Sequence, residues 1–131
     1  MTKSFRDLIV WQQGVALVED IYRASDGWPK SEDYALTSQI RRSAVSIPSN
    51  IAEGSGRGTV RDYQHFLRIA RGSVRELETQ IEIAFRVRYV ESAKAEALQS
   101  KLASVSKLLN RLIKSLESGQ FVREEIALYE P

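Results

Sequence analysis

A chain of 131 residues, 43% hydrophobic and 27% charged, has the length and composition of one globular domain with a sizeable core. With no cysteine and one histidine, it excludes disulfides and thiolate chemistry and leaves too few ligands for a Cys/His zinc site. The net charge of +2 conceals an asymmetry: residues 41–75 hold seven arginines against Glu53 and Asp62, while the flanking segments are each slightly acidic.

The first helix is expected from Asp7 to about Ser25, with Trp11, Val15, Val18 and Tyr22 on one face. Ile9, Val10, Ala16 and Leu17 widen its apolar arc beyond a single ~100° stripe, which implies a second buried surface. Gly14 reads as a point of close helix packing, and Asp26-Gly27-Trp28-Pro29 as the stop. Ser31, followed by Glu32 and Asp33, is the expected N-cap of helix two. The core face of that helix runs Leu36, Ile40, Ala44, Ile47, Ile51. Pro48 lies within it and predicts a kink near 43–47, with Ser43, Ser46 and Asn50 available to the freed backbone groups. Gly54, Gly56 and Gly58 end the helix.

Thr59 with Asp62 has the spacing of a capping box and opens helix three. Tyr63, Leu67, Ala70, Val74, Leu77, Ile81 and Ala84 then alternate four and three apart, a heptad seam that runs to about Tyr89. A short link at 90–92 leads into helix four, whose seam is Leu98, Leu102, Val105, Leu109, Leu112 and Leu116, and Gly119 is its expected stop. Four amphipathic helices with short links and no strand pattern make an all-α, up-down four-helix bundle over residues 1–118. Residues 119–131 form a C-terminal tail. No apolar run approaches the roughly 20 residues of a membrane span, and the N-terminus carries no signal-peptide pattern, so a cytoplasmic protein is expected.

Little in this pattern carries catalytic chemistry. A di-iron bundle needs two Glu-x-x-His motifs, and Asp62-Tyr63-Gln64-His65 is the nearest approach. Gly54-Ser55-Gly56-Arg57-Gly58 lacks the preceding strand and the Gly-Lys-Ser/Thr of a nucleotide loop, and reads as an inter-helix turn or a loop that touches phosphate. Glu53 has no second acid or base beside it, so it is assigned to the helix end. The arginines point elsewhere. Arg68, Arg71 and Arg75 share one face of helix three, and Arg41, Arg42 and Arg61 have no acidic neighbour at helical spacing. With Arg57 they make a set of seven arginines and no lysine, the residue type suited to bidentate phosphate contact. The alternative is a solvated face, or pairing with acids on other helices such as Glu19, Asp20 or Glu76.

The segments Phe5–Trp11, Ser38–Gly54 and Gly72–Gln80 together resemble the bacterial four-helix-bundle family of 23S rRNA intervening-sequence proteins. The signature is Gln39-x-x-Arg42 with Ser46-Ile47-Pro48-x-Asn50-x-x-Glu53-Gly54. The likeness covers about residues 5–116, and that family is related in fold to accessory proteins of diversity-generating retroelements. The resemblance implies a homopentameric barrel of bundles, a nucleic-acid role and no catalytic activity. Self-association also accounts for the wide apolar arc of helix one and the extra stripe Phe66, Ile69, Ile83 and Val87 on helix three.

The sequence therefore predicts a non-enzymatic, oligomeric accessory protein without cofactor or metal. It binds RNA or DNA backbone through Arg41, Arg42, Arg57, Arg61, Arg68, Arg71 and Arg75, while Pro48, Asn50, Glu53 and Gly54 are structural. The competing reading is a scaffold that docks a protein partner on its apolar stripe or its tail.

Overall fold

The computed structural model describes residues 4–118. Its four α-helices are α1 (Ile9–Ser25), α2 (Leu36–Ser55), α3 (Val60–Arg86) and α4 (Ser92–Ser118), and no strand occurs among the described residues. Each helix packs on its neighbour in sequence, and α1 packs on α4, which closes the ring of an up-down four-helix bundle. The expected tail and the stop at Gly119 lie outside the described residues. No described helix is long and apolar enough to cross a membrane.

The two heptad seams form the core as expected: Tyr63, Leu67, Ala70, Val74, Leu77, Ile81 and Ala84 of α3 are buried, as are all six seam residues of α4. Ile40, Ala44, Ile47 and Ile51 of α2 face them, and α2 continues through Pro48 without a break.

Helix α1 corrects the sequence reading. Its buried face is Val10, Gly14, Leu17, Ile21 and Ser25, whereas Trp11, Val15 and Val18 are half-buried and Tyr22 is exposed. Gly14 explains the rotation, because a Cβ there would sit 3.4 Å from the Pro48 side chain. The helices meet where one residue has no side chain and the other has a compact ring closed back on its own backbone. The start of α1 is also later than expected. Asp7 belongs to a preceding 3-10 turn, Phe5–Asp7, in which Ser4 Oγ accepts from Arg6 N and Asp7 accepts from Ser4 N.

Ser31 does not cap α2. It lies in a 3-10 turn, Lys30–Glu32, and α2 begins at Leu36, whose N–H donates to the Glu32 carboxylate at 3.3 Å. A local capping signal gave way to the turn that the link needs to carry the chain from α1 to α2. Thr59 does cap α3, its hydroxyl accepting from Asp62 N at 3.1 Å. Helix α3 ends at Arg86, three residues before the expected end. There Tyr89 N donates to Ala84 O and Arg88 N to Phe85 O, with Arg88 in the left-handed region at φ 68°. This is a Schellman stop with arginine where glycine is usual. Tyr89 then packs on Trp28 and donates its hydroxyl to Glu32 at 2.8 Å, which ties the α3–α4 link to the α1–α2 link. Its pKa is raised, first by that hydrogen bond, then by burial and the Glu32 charge.

Candidate nucleic-acid interface

Three signature residues of α2, Pro48, Asn50 and Gly54, serve its packing in the bundle. Pro48 is buried against Gly14. Asn50 Nδ2 donates to Ser46 O at 2.8 Å and to Ser46 Oγ at 2.9 Å, and Ser73 Oγ of α3 donates to the same Ser46 hydroxyl at 2.8 Å. Gly54 is buried, and a Cβ there would meet Phe66 Cβ at 2.9 Å and Tyr63 Cδ1 at 3.0 Å. That position therefore sets the closeness of α2 to α3. Glu53 departs from its expected part in shaping the helix end. It is exposed, and its nearest cation, Arg57, is 3.9 Å away. A contact of that length between exposed partners contributes little stability.

The seven arginines divide into groups. Arg41 is committed to the α1–α2 contact: Nε donates to Ser25 Oγ at 2.9 Å, and the guanidinium lies 4.5 Å from the Tyr22 ring centroid. Ser25 in turn donates to Ile21 O at 2.7 Å, so this arginine closes a buried polar chain at the end of α1. Arg57 covers the Phe66 ring at 4.7 Å. Arg42 is exposed and stands between two open clefts. One of these, about 420 Å³, runs between α2 and α3 and is lined by Gln39, Ser43, Ser46, Ser73, Glu76 and Gln80. The buried Gln80 Oε1 has no hydrogen-bond partner among the described residues.

The remaining four arginines lie on one flank of α3. Arg61, Arg68, Arg71 and Arg75 are spaced seven, three and four apart, which returns each to nearly the same side of the helix. All four are exposed, and Arg61 and Arg71 have no side-chain partner among the described residues. Arg75 holds Glu78 at 2.7 Å, and Arg68 reaches across to Glu117 of α4 at 3.3 Å. Both partners in each pair are open to water, so each bridge is worth about 0–1 kcal/mol and is readily exchanged for an anionic ligand. Of the acids weighed from sequence, Asp20 instead holds Lys101 and Glu19 holds Arg23. Sequence spacing cannot reveal Glu117, which stands 49 residues from Arg68.

His65 is exposed in the second turn of α3, its ring edge-on to Phe66. The extra apolar stripe divides as well: Phe66 is half-buried, whereas Ile69, Ile83 and Val87 are 40%, 43% and 48% exposed.

The family model described as 23S rRNA-intervening sequence protein matches residues 6–111. A crystal structure of a protein of unknown function from the S23 ribosomal protein family of Bacteroides thetaiotaomicron superposes with a TM-score of 0.73 at 25% identity. The alignment covers 81% of this chain and 99% of that one. No curated protein matches the chain.

Proposed function

Because the chain belongs to the 23S rRNA-intervening sequence protein family, we propose that it is a non-enzymatic accessory protein that binds the backbone of RNA or DNA. The observation that carries this reading is the flank of four exposed arginines on α3, two unpartnered among the described residues and two in exchangeable surface pairs. Guanidinium groups on a rigid helix meet phosphate bidentately and without regard to base, so affinity falls with salt and sequence preference is weak. Arg42 and Arg57 extend the set toward α2, and Arg41 supports the fold. The family's name supports the choice of RNA, and the protein works in the cytoplasm.

The active form is a homo-oligomer, for which the exposed Ile69, Ile83 and Val87 supply the apolar contact, and five copies is the expected number. Assembly repeats the arginine flank, so contacts that are weak singly act together through effective concentration. A competing reading uses the same apolar residues, with Phe85, to dock a protein partner. Light scattering separates the two: a monomer mass at micromolar concentration leaves the stripe open for a partner. The nucleic-acid reading is tested by gel shift with RNA and DNA. Arg68→Glu with Arg71→Glu is expected to abolish binding and keep helical content and mass unchanged. A folded double variant that binds as the parent does would overturn it.

A further inference from the structure

The basic surface does not stop at α3. Helix α4 carries Lys107, Arg111 and Lys114 at i, i+4 and i+7, one face of a helix. All three are exposed, and none has a side-chain partner among the described residues. They form a second cationic triplet beside Arg68, Arg71 and Arg75. The register of the two helices makes the triplets overlap, with a stagger of four residues along the bundle. Both helices have 27 residues and are joined by the short link 87–91. Arg71 lies 15 residues before the end of α3, and Lys107 lies 15 residues after the start of α4. By the same count Arg68 stands 18 from the link and Arg111 stands 19. The bond from Arg68 to Glu117 crosses the seam between the helices, so the α3 triplet borders α4.

The result is two parallel rows of cations, each about 10 Å long at 1.5 Å per residue. Their helix axes stand roughly 8–10 Å apart, the usual distance for packed helices. Among the described residues, the acids that pair with any of these six cations are Glu78 and Glu117, each holding one of the arginines. What the face lacks matters as much. Helix α4 contains no aromatic residue. On α3, Tyr63 is buried, Phe66 is turned to Gly54 and lies under Arg57, the exposed His65 ring stands edge-on to Phe66, and the partly exposed Phe85 stands at the far end, on a cleft that Ala95 also lines. Binders of single strands combine cations with aromatic platforms on which the bases stack. Among the described residues the two cation rows carry no exposed Phe, Tyr or Trp on which bases could stack, so what they offer is contact with the backbone. Backbone charge is densest on a duplex, which presents one phosphate per roughly 1.7 Å of axis and two strands across grooves of roughly 6–12 Å.

We propose that the α3–α4 face binds double-helical nucleic acid in preference to single strands, with Lys107, Arg111 and Lys114 of α4 as binding residues. This rests on the nucleic-acid reading above and narrows it to a class of substrate. The test is fluorescence anisotropy on the full chain with four probes: a 20-base-pair RNA duplex, the matching DNA duplex, and one single strand of each. The expected result is tighter binding of at least one duplex than of either single strand, by about tenfold or more. Lys107→Glu with Lys114→Glu is expected to weaken duplex binding by about tenfold or more with the circular dichroism spectrum and mass unchanged. The milder pair Lys107→Gln with Lys114→Gln is expected to weaken it in the same direction. Single strands that bind as tightly as the duplexes, or folded α4 variants that bind as the parent does, overturn the duplex reading and leave the arginine flank standing. Failure of all four probes to bind at low salt overturns both.

Discussion

Gly54 and Gly72 are both helical glycines, and the structure predicts opposite outcomes when each becomes alanine. In an open helical position, alanine gains roughly 0.5–1 kcal/mol over glycine because it loses less backbone entropy on folding. Gly72 is such a position: it is exposed in mid-α3, and an added Cβ meets nothing within 4 Å. At Gly54 the same methyl would sit 2.9 Å from Phe66 Cβ, 3.0 Å from Tyr63 Cδ1 and 3.2 Å from Tyr63 O. Carbon atoms rest at about 3.5–4 Å, so α2 and α3 must part by roughly half an ångström or more. The backbone carbonyl and the Phe66 Cβ cannot swing aside as the end of a long side chain can. Overpacking of this kind costs about 1–3 kcal/mol, which leaves a net loss of about 1–2 kcal/mol after the propensity gain. For a chain of this size, that lowers Tm by roughly 4–8 °C, whereas Gly72→Ala raises it by roughly 2–4 °C. Thermal melts followed by circular dichroism, at one fixed protein concentration, measure both. A Gly54→Ala protein at least as stable as the parent would refute the close-approach argument.

Arg88 occupies the left-handed region at φ 68°, so Arg88→Gly is expected to raise stability by about 0.5–1 kcal/mol; a loss in urea melts would contradict the strain assigned to the Schellman stop. The Tyr89–Glu32 hydrogen bond gives a pH signature. Because the folded pKa of Tyr89 is raised, its stabilisation is complete below the ordinary tyrosine value of about 10 and is lost as pH rises through the folded value. The stability gap between the parent and Tyr89→Phe is therefore expected at pH 8 and should close in strongly alkaline buffer; an unchanged gap would show that the bond is not the cause. Thr37 is buried with no partner for its hydroxyl among the described residues, so Thr37→Val is expected to hold or raise Tm.

The seams of α3 and α4 were legible because every fourth or third residue is a hydrocarbon, and the helix period alone assigns the face. The face of α1 was not, because its closest contact is made by Gly14, which adds nothing to an apolar pattern, while Trp11 and Tyr22 add much. The missed signal was register rather than bulk: Val10, Gly14, Leu17, Ile21 and Ser25 fall four, three, four and four apart, with the two small residues Gly14 and Ser25 in line with the aliphatic ones. The start of α2 is not legible because the capping side chain at Ser31 lies in a 3-10 turn five residues before the helix begins. Within the candidate site, the shared flank of Arg68, Arg71 and Arg75 followed from spacing along one helix. The α4 triplet was hidden because residues 76–131 carry eight basic against nine acidic side chains, a near balance that conceals a local cluster of cations on one helix face.

Nucleic-acid phosphate held by an α-helical surface of cations would leave its signature in salt. The most direct measurement is the salt dependence of duplex affinity for the parent protein. Each phosphate contact contributes about 0.9 to the slope of log K against log salt, so engagement of even half of the six α3–α4 cations predicts a slope of about −3 or steeper. A slope near zero, or no binding at low salt, would contradict the account.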